Sequence, residues 1–376
     1  AVLVQAILYP AWGYLYDRFA RSRLLALASA LWGGTTWLNA LAPTYPLFLV
    51  TRASTGIDDA SYPGIYSLLS DYFGPRMRGK VYGLLQIAQP VGFMLGTILA
   101  TFLGGALGWR NVFFVTGSAG ILMSLVIRAG VREPRRGQAE PDLAGLAGVS
   151  IRRIDKETVL RLARNPSYLL LMTQGFFGVF PWQVLTFWFF RYLEAERGYS
   201  SDEAMVTMLV AIATLSAGYF LGGAIGDFAF RRTPRGRALT STVGVLAGAV
   251  LLVLTLNVPE ADRGSFMLLL GLTGVMMSMA APNVVAIIHD VTEPEVRGTA
   301  QAMQYFAENI GSAIAPWLAG LIAVHYSLHV AILVLCVSTW ILCGLLFGAT
   351  AIVVPRDIAR LREILRERAE GAAPAS

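Results

Sequence analysis

The sequence predicts an all-α membrane protein built from two related helical bundles. Three observations carry this: an excess of apolar residues, their division into eleven long runs, and a repeat linking the two halves of the chain. Of 376 residues, 55% are hydrophobic and 14% charged, with a mean hydropathy of +0.58. Soluble domains average about 25% charged residues, so the apolar excess must face lipid. The net charge of +6 sits in short basic clusters between apolar runs. That is the pattern of membrane orientation, and no nucleic-acid partner is expected. Cys336 and Cys343 share one apolar run and are too few for a disulfide framework or a zinc site, so they are read as packing residues.

A helix crossing the hydrocarbon layer needs about 20 mostly apolar residues. Eleven stretches qualify, over residues 1–16, 24–42, 46–70, 80–105, 110–130, 167–190, 203–226, 238–257, 264–288, 298–324 and 328–354. The first opens at Ala1, already apolar, without an initiator Met or a basic leader; it reads as clipped, with one helix expected upstream. Sorting Lys and Arg by loop puts 25 on one side, four on the other (Arg110, Arg191, Arg197, Arg263), and Arg52 within a span. The positive-inside rule then places the C-terminus in the cytoplasm of a plasma or inner membrane. Residues 1–130 form a first bundle of five spans, and 131–166 a cytoplasmic linker with a short helix around Ile154 to Arg164. Residues 167–354 form a second bundle of six, and 355–376 an amphipathic cytoplasmic tail carrying Ile358, Leu361, Ile364 and Leu365 on one face.

Self-comparison shows the repeat. At an offset of 219, Pro63, Asp71, Arg78, Gly79 and Gly92 match Pro282, Asp290, Arg297, Gly298 and Gly311; at 210, Gly13, Asp17 and Arg21 match Gly223, Asp227 and Arg231. Two homologous halves in the same orientation describe a six-plus-six transporter lacking its first helix. GYLYDRFARSR, Gly13 to Arg23, resembles the loop signature of the major facilitator superfamily, and GGAIGDFAFRR, Gly222 to Arg232, resembles its second-half echo. The resemblance covers the whole chain and implies the major facilitator fold, with two pseudo-symmetric six-helix bundles. The physical roles are gating ones: glycine lets helices approach, Asp17 caps or pairs at helix ends, and arginines form ion pairs that break when the inner gate opens. The candidate gate residues are Gly13, Asp17, Arg18, Arg21, Asp71, Arg78, Asp227, Arg231, Asp290 and Arg297. Over Gly56 to Gly96 the chain is similar to the spinster-like branch of lipid transporters, through Asp59, Ala60, Ser61, Tyr62, Asp71, Phe73, Pro90, Gly92 and Gly96, with Trp109 and Arg110 following. It departs from that branch at Asp59, where Glu is usual, and at Asp58, where Gly is usual.

Ionisable groups at membrane depth cost at least a few kcal/mol each, and they usually face a cavity. Arg52, Asp58, Asp59 and Glu308 stand out. At 100° per residue, Arg52, Thr55, Asp59, Tyr62 and Tyr66 fall within an arc of about 80°. Gln301, Gln304, Tyr305, Glu308 and Ser312 fall within about 100° on the penultimate span. Both stripes are expected to line a central substrate site near the midplane. By resemblance, Arg52 would meet an anionic head group, with Asp59 its counter-ion or a proton carrier. Proton coupling through Asp59, Glu308 or Asp58 stands against a permanent ion pair with Arg52. Phe176, Phe177, Phe180, Trp182, Phe187 and Trp188 form either an acyl-chain wall or a lipid-facing belt. Pro63, Pro90, Pro181 and Pro282 are candidate bends.

The function expected is secondary active transport by alternating access of an amphipathic or organic anion, lysophospholipid-like by the resemblance, with protons as the candidate coupling ion. The alternatives are a small organic anion or sugar acid permease or a drug efflux carrier; outside transport, a channel or membrane sensor. No nucleotide-binding loop appears and no cofactor or metal is called for. His289, His325 and His329 have no catalytic constellation around them, so no enzyme is expected. The bilayer, the substrate and protons are the expected partners of a monomer.

Overall fold

A computed structural model describes residues 2–143 and 156–372, which are helical with no strand. Before the linker lie α1 (Val2–Arg18), α2 (Arg21–Leu41), a broken run of α3 (Tyr45–Ser54), α4 (Gly56–Asp59) and α5 (Pro63–Tyr72), then α6 (Arg78–Leu107) and α7 (Trp109–Gly130). After it come α8 (Lys156–Ala163), α9 (Pro166–Ala195), α10 (Ser201–Arg232), α11 (Gly236–Leu256), α12 (Arg263–Ser278), α13 (Ala280–Val291), α14 (Arg297–His325) and α15 (Leu328–Ala372). Part of the short helix expected in the linker, Ile154 and Asp155, lies outside the described residues; α8 is the remainder.

Local chemistry sets many of these boundaries. Asn165 accepts the Tyr168 amide at 3.0 Å and caps α9, Ser200 and Glu203 close a capping box on α10, and Asp262 caps α12 through Ser265. A single residue, Gly108 at φ +83°, joins α6 to α7, a conformation that disfavours any side chain. Proline explains the two broken spans. It offers no amide to the preceding turn, and α5 starts at Pro63 while α12 gives way to α13 just before its repeat partner Pro282. The other two candidate bends differ: α6 runs through Pro90 and α9 through Pro181 as single helices.

Nine helical runs among the described residues are long and apolar enough to cross a bilayer. The other two predicted crossings are α1, which has 17 described residues, and the broken α3 to α5 run. Large apolar side chains such as Phe102, Ile352 and Leu345 stand exposed around the outside, as lipid contact requires. The tail is not a separate element: α15 continues through Pro355 for 45 residues. Its end packs down on the protein, with Ile358, Leu361 and Leu365 buried and Arg368 paired with Glu293 and, at 3.0 Å, with Glu295.

Candidate transport cavity and gate

The most extensive contacts between the halves are two helix pairs, α1 with α14 and α6 with α10, supported by α6 with α13 and α5 with α14. Glycine makes both approaches possible: a Cβ on Gly13 would stand 2.6 Å from the Ala302 Cβ, and one on Gly223 only 2.0 Å from the Gly79 carbonyl oxygen. A carboxylate crosses at each contact. Asp17 accepts the Gly298 and Thr299 amides at 2.8 and 2.6 Å, at the N-terminus of α14. Asp227 accepts the Gly79 and Lys80 amides at 3.0 and 2.9 Å, at the N-terminus of α6. Unpaired amides and the helix dipole both favour an anion there.

Four buried arginines fill the space between these caps. Arg21 pairs with Asp71, and Arg237 pairs with Asp290 and with Asp227. Arg78 reaches across to Asp290 at 3.2 Å, while Arg297 lies 3.7 Å from Asp71 in the opposite half. The linker supplies the centre: Glu140 accepts from Arg78 and from Arg297, each at 2.5 Å. Burial raises the Glu140 pKa, but the two guanidiniums outweigh it and hold the carboxyl down at about 2. Glu133 bonds Arg21, and the Gly137 amide donates to Asp71 at 2.9 Å. This face of the molecule is closed.

Two predicted gate residues stay outside the network. Arg18 is exposed and donates to the Tyr14 hydroxyl. Arg231 is exposed on α10, and Arg237 holds the place that Arg21 holds in the first half. The reason lies in the loops: four residues separate Asp17 from Arg21 but ten separate Asp227 from Arg237, so a fixed offset selects the wrong arginine.

Beyond the gate a cavity of about 1250 Å³ opens between the halves. Asp58, Asp59, Tyr62 and Tyr66 line it from the first half; Gln301, Tyr305, Glu308 and Ser312 line it from α14. Tyr62 and Tyr66 share a hydroxyl contact of 3.2 Å, Tyr305 stacks 5.7 Å from Tyr9, and Gln304 donates to Glu308 at 3.1 Å. Asp58, buried, accepts from Thr35 at 3.2 Å. Trp182, Phe187, Val179 and Trp317 form an apolar wall, whereas Phe180 is buried in the core of the second half.

Arg52 and Thr55 are absent from this lining. Arg52 is exposed on α3 with no carboxylate within 4.0 Å among the described residues, and the Thr55 hydroxyl is spent on the Arg52 carbonyl at 2.9 Å. A stripe at 100° per residue presumes one continuous helix, and the breaks at Thr55 and between Ala60 and Tyr62 destroy that registry. Replacing Arg52 with Ala is therefore expected to leave substrate affinity within about threefold of wild type, since an exposed charge contributes about 1 kcal/mol or less. Binding titration by tryptophan fluorescence checks it; a loss of tenfold or more would restore Arg52 to the site.

The Major Facilitator Superfamily family model matches residues 1–265 and 261–370, almost the whole chain. This chain belongs to the major facilitator superfamily. Within the superfamily it is similar to human spinster homolog 1, with 29% identity over 94% of this chain and 72% of that one. It is also similar to the Drosophila melanogaster protein spinster, with 30% identity over 86% of this chain and 54% of that one. Two solved structures share the fold. The E. coli fucose:proton symporter superposes with a TM-score of 0.67 at 15% identity, covering 94% of this chain and 90% of that one. An inward-facing, occupied bacterial homolog of the human lysosomal transporter spinster superposes at 0.52 with 19% identity, covering 100% of this chain and 89% of that one. The chain is a multi-pass secondary transporter of this superfamily. Four gate residues escaped sequence reading: Glu133, Glu140, Arg237 and His289, whose ring meets the Tyr82 hydroxyl at 2.7 Å. Both acids lie in irregular backbone where no periodicity marks a face.

Proposed function

We propose that this transporter carries a single-chain amphiphile across the membrane by alternating access, exchanging it for protons at Asp59 and Glu308. The observation that carries the reading is the cavity itself, acidic at Asp58, Asp59 and Glu308 and walled on one side by Val179, Trp182, Phe187 and Trp317. A small hydrophilic solute would leave the apolar wall unmatched, whereas head group and tail fill both sides. The linker face, with its excess of arginine, is read as cytoplasmic. Its closed gate and the open cavity above then describe an outward-facing state. Rocking the halves about the cavity would part the α1–α14 and α6–α10 contacts and expose the same residues to the other side.

Each carboxylate is reachable from the cavity, and proton uptake when the substrate leaves is the simplest link between gradient and transport. The prediction is made for protein in liposomes loaded with a pH dye. Asp59→Asn together with Glu308→Gln abolishes substrate-driven proton movement, at least tenfold. Unchanged proton movement in the double variant defeats the coupling assignment.

A further inference from the structure

The cavity has a one-sided charge inventory. Asp58, Asp59 and Glu308 line it, and no Lys, Arg or His does among the described residues. Arg52 is felt by Asp59 through space, yet no ion pair within 4.0 Å joins them. An anionic head group entering here would lose its water beside three acids and gain no cation in return, which electrostatics disfavours strongly in a low-dielectric site. A cationic head group gains from every acid.

Two further features point the same way. Gln86 and Gln301 line the cavity, are 8% and 1% exposed, and leave their side-chain carbonyl oxygens without a hydrogen-bond partner. Buried acceptors of this kind are completed by water or by an N–H donor, which an ammonium head group supplies and a phosphate dianion does not. Tyr62 and Tyr305, half-buried, stand edge to face with ring centroids 6.0 Å apart beside the acids. Tyrosine faces attract ammonium groups through the ring quadrupole and form the walls of sites for quaternary amines.

We infer that the head group carried is an ammonium, so that the substrate is a cationic amphiphile, held between Asp59 and Glu308 against Tyr62 and Tyr305 with its tail along Trp182 and Phe187. This rests on the amphiphile-carrier reading above and specifies its charge. It also supplies a reason for exchange: an ammonium and a proton neutralise the same carboxylates and exclude one another, so loading one expels the other. The volume of about 1250 Å³ exceeds the usual small-ligand range of about 300–1,000 Å³ and leaves room for both head and tail.

The test uses the full-length protein in phosphatidylcholine liposomes with two radiolabelled probes of equal chain length, dodecylammonium, whose N–H groups can donate to Gln86 and Gln301, and dodecyl phosphate, below their micellar concentrations. Expected is saturable uptake of the ammonium probe at least tenfold above the phosphate probe, lost in the Asp59→Asn, Glu308→Gln double variant and kept in Arg52→Ala. The comparison of probes on the wild-type protein does not depend on any variant folding. Saturable uptake with equal or greater preference for dodecyl phosphate overturns the cationic assignment and leaves the amphiphile carrier standing. Saturable uptake of neither probe overturns both.

Discussion

Glu140→Gln is expected to open the linker face. The Glu140 carboxylate touches an arginine from each half at 2.5 Å, and it does so from the connecting segment rather than from either bundle. Removing its charge leaves Arg78 and Arg297 buried with reduced compensation, and a buried pair broken on one side loses about 3–5 kcal/mol. Opening the gate relieves this by giving both guanidiniums water, so the loss falls on the closed state alone. A shift of about 3 kcal/mol is roughly a hundredfold in the closed-to-open ratio. Spin labels at Arg76 and Arg231, exposed on opposite halves of this face, would report the change as a longer distance by electron resonance. The cluster is suited to switching because its satisfaction is incomplete: among the described residues, the Nε atoms of Arg78, Arg237 and Arg297 have no acceptor.

The sign with pH follows from the same contacts. Glu140 titrates below its ordinary value of 4.5, at about 2, so its contribution is fully present above about 4.5 and is lost only as pH falls through about 2. Between pH 5 and 8 the Glu140 latch should hold unchanged, and any conformational response of the transporter in that window must come from other groups. A label distance that lengthens between pH 7 and pH 5 in wild type but not in the Glu308→Gln, Asp59→Asn variant would place the response in the cavity.

How much of this was legible from residue order depends on the continuity of each helix. On α14, an uninterrupted helix, the spacing of Gln301, Tyr305, Glu308 and Ser312 translates directly into one face on the cavity. On the third span the same arithmetic misplaces Arg52 and Thr55, because the run is broken into three short helices, with i→i+3 bonds such as Ser61 to Asp58 and Tyr62 to Asp59 replacing the regular turn before Pro63. Asp17 and Asp227 were visible through their spacing from glycine, whereas what they cap, the first amides of helices in the opposite half, is a tertiary relationship. Glu140 lies seven residues from Glu133 in irregular backbone and offers no pattern at all. Hydropathy found nine runs that are long and apolar enough to cross, among the described residues, yet could not show that the helix of the last one continues through Pro355 into the tail.

Asp17→Asn and Asp227→Asn should each weaken the same gate, and the double variant should nearly abolish it. Each aspartate accepts two backbone amides at the start of a helix from the other half, a charge-assisted arrangement that asparagine cannot reproduce because its NH₂ faces donors. Hydrogen bonds to charged groups contribute about 1.5–3 kcal/mol, so each variant shifts the closed-to-open ratio by roughly tenfold to a hundredfold. The two aspartates accept different amides and act through different helix pairs, α1 with α14 and α6 with α10, so their free energies are expected to add to within about 0.5 kcal/mol. The product, a hundredfold or more, is the discriminating number. If the halves instead close through one cap alone, the double variant will match the more damaging single one. Equal changes at the exposed Arg18 and Arg231 would show that surface charge, rather than capping across the interface, sets the equilibrium. The same label pair reads all of these variants, and transport of substrate in both directions then tells whether the loosened gate stalls the cycle with the linker face open.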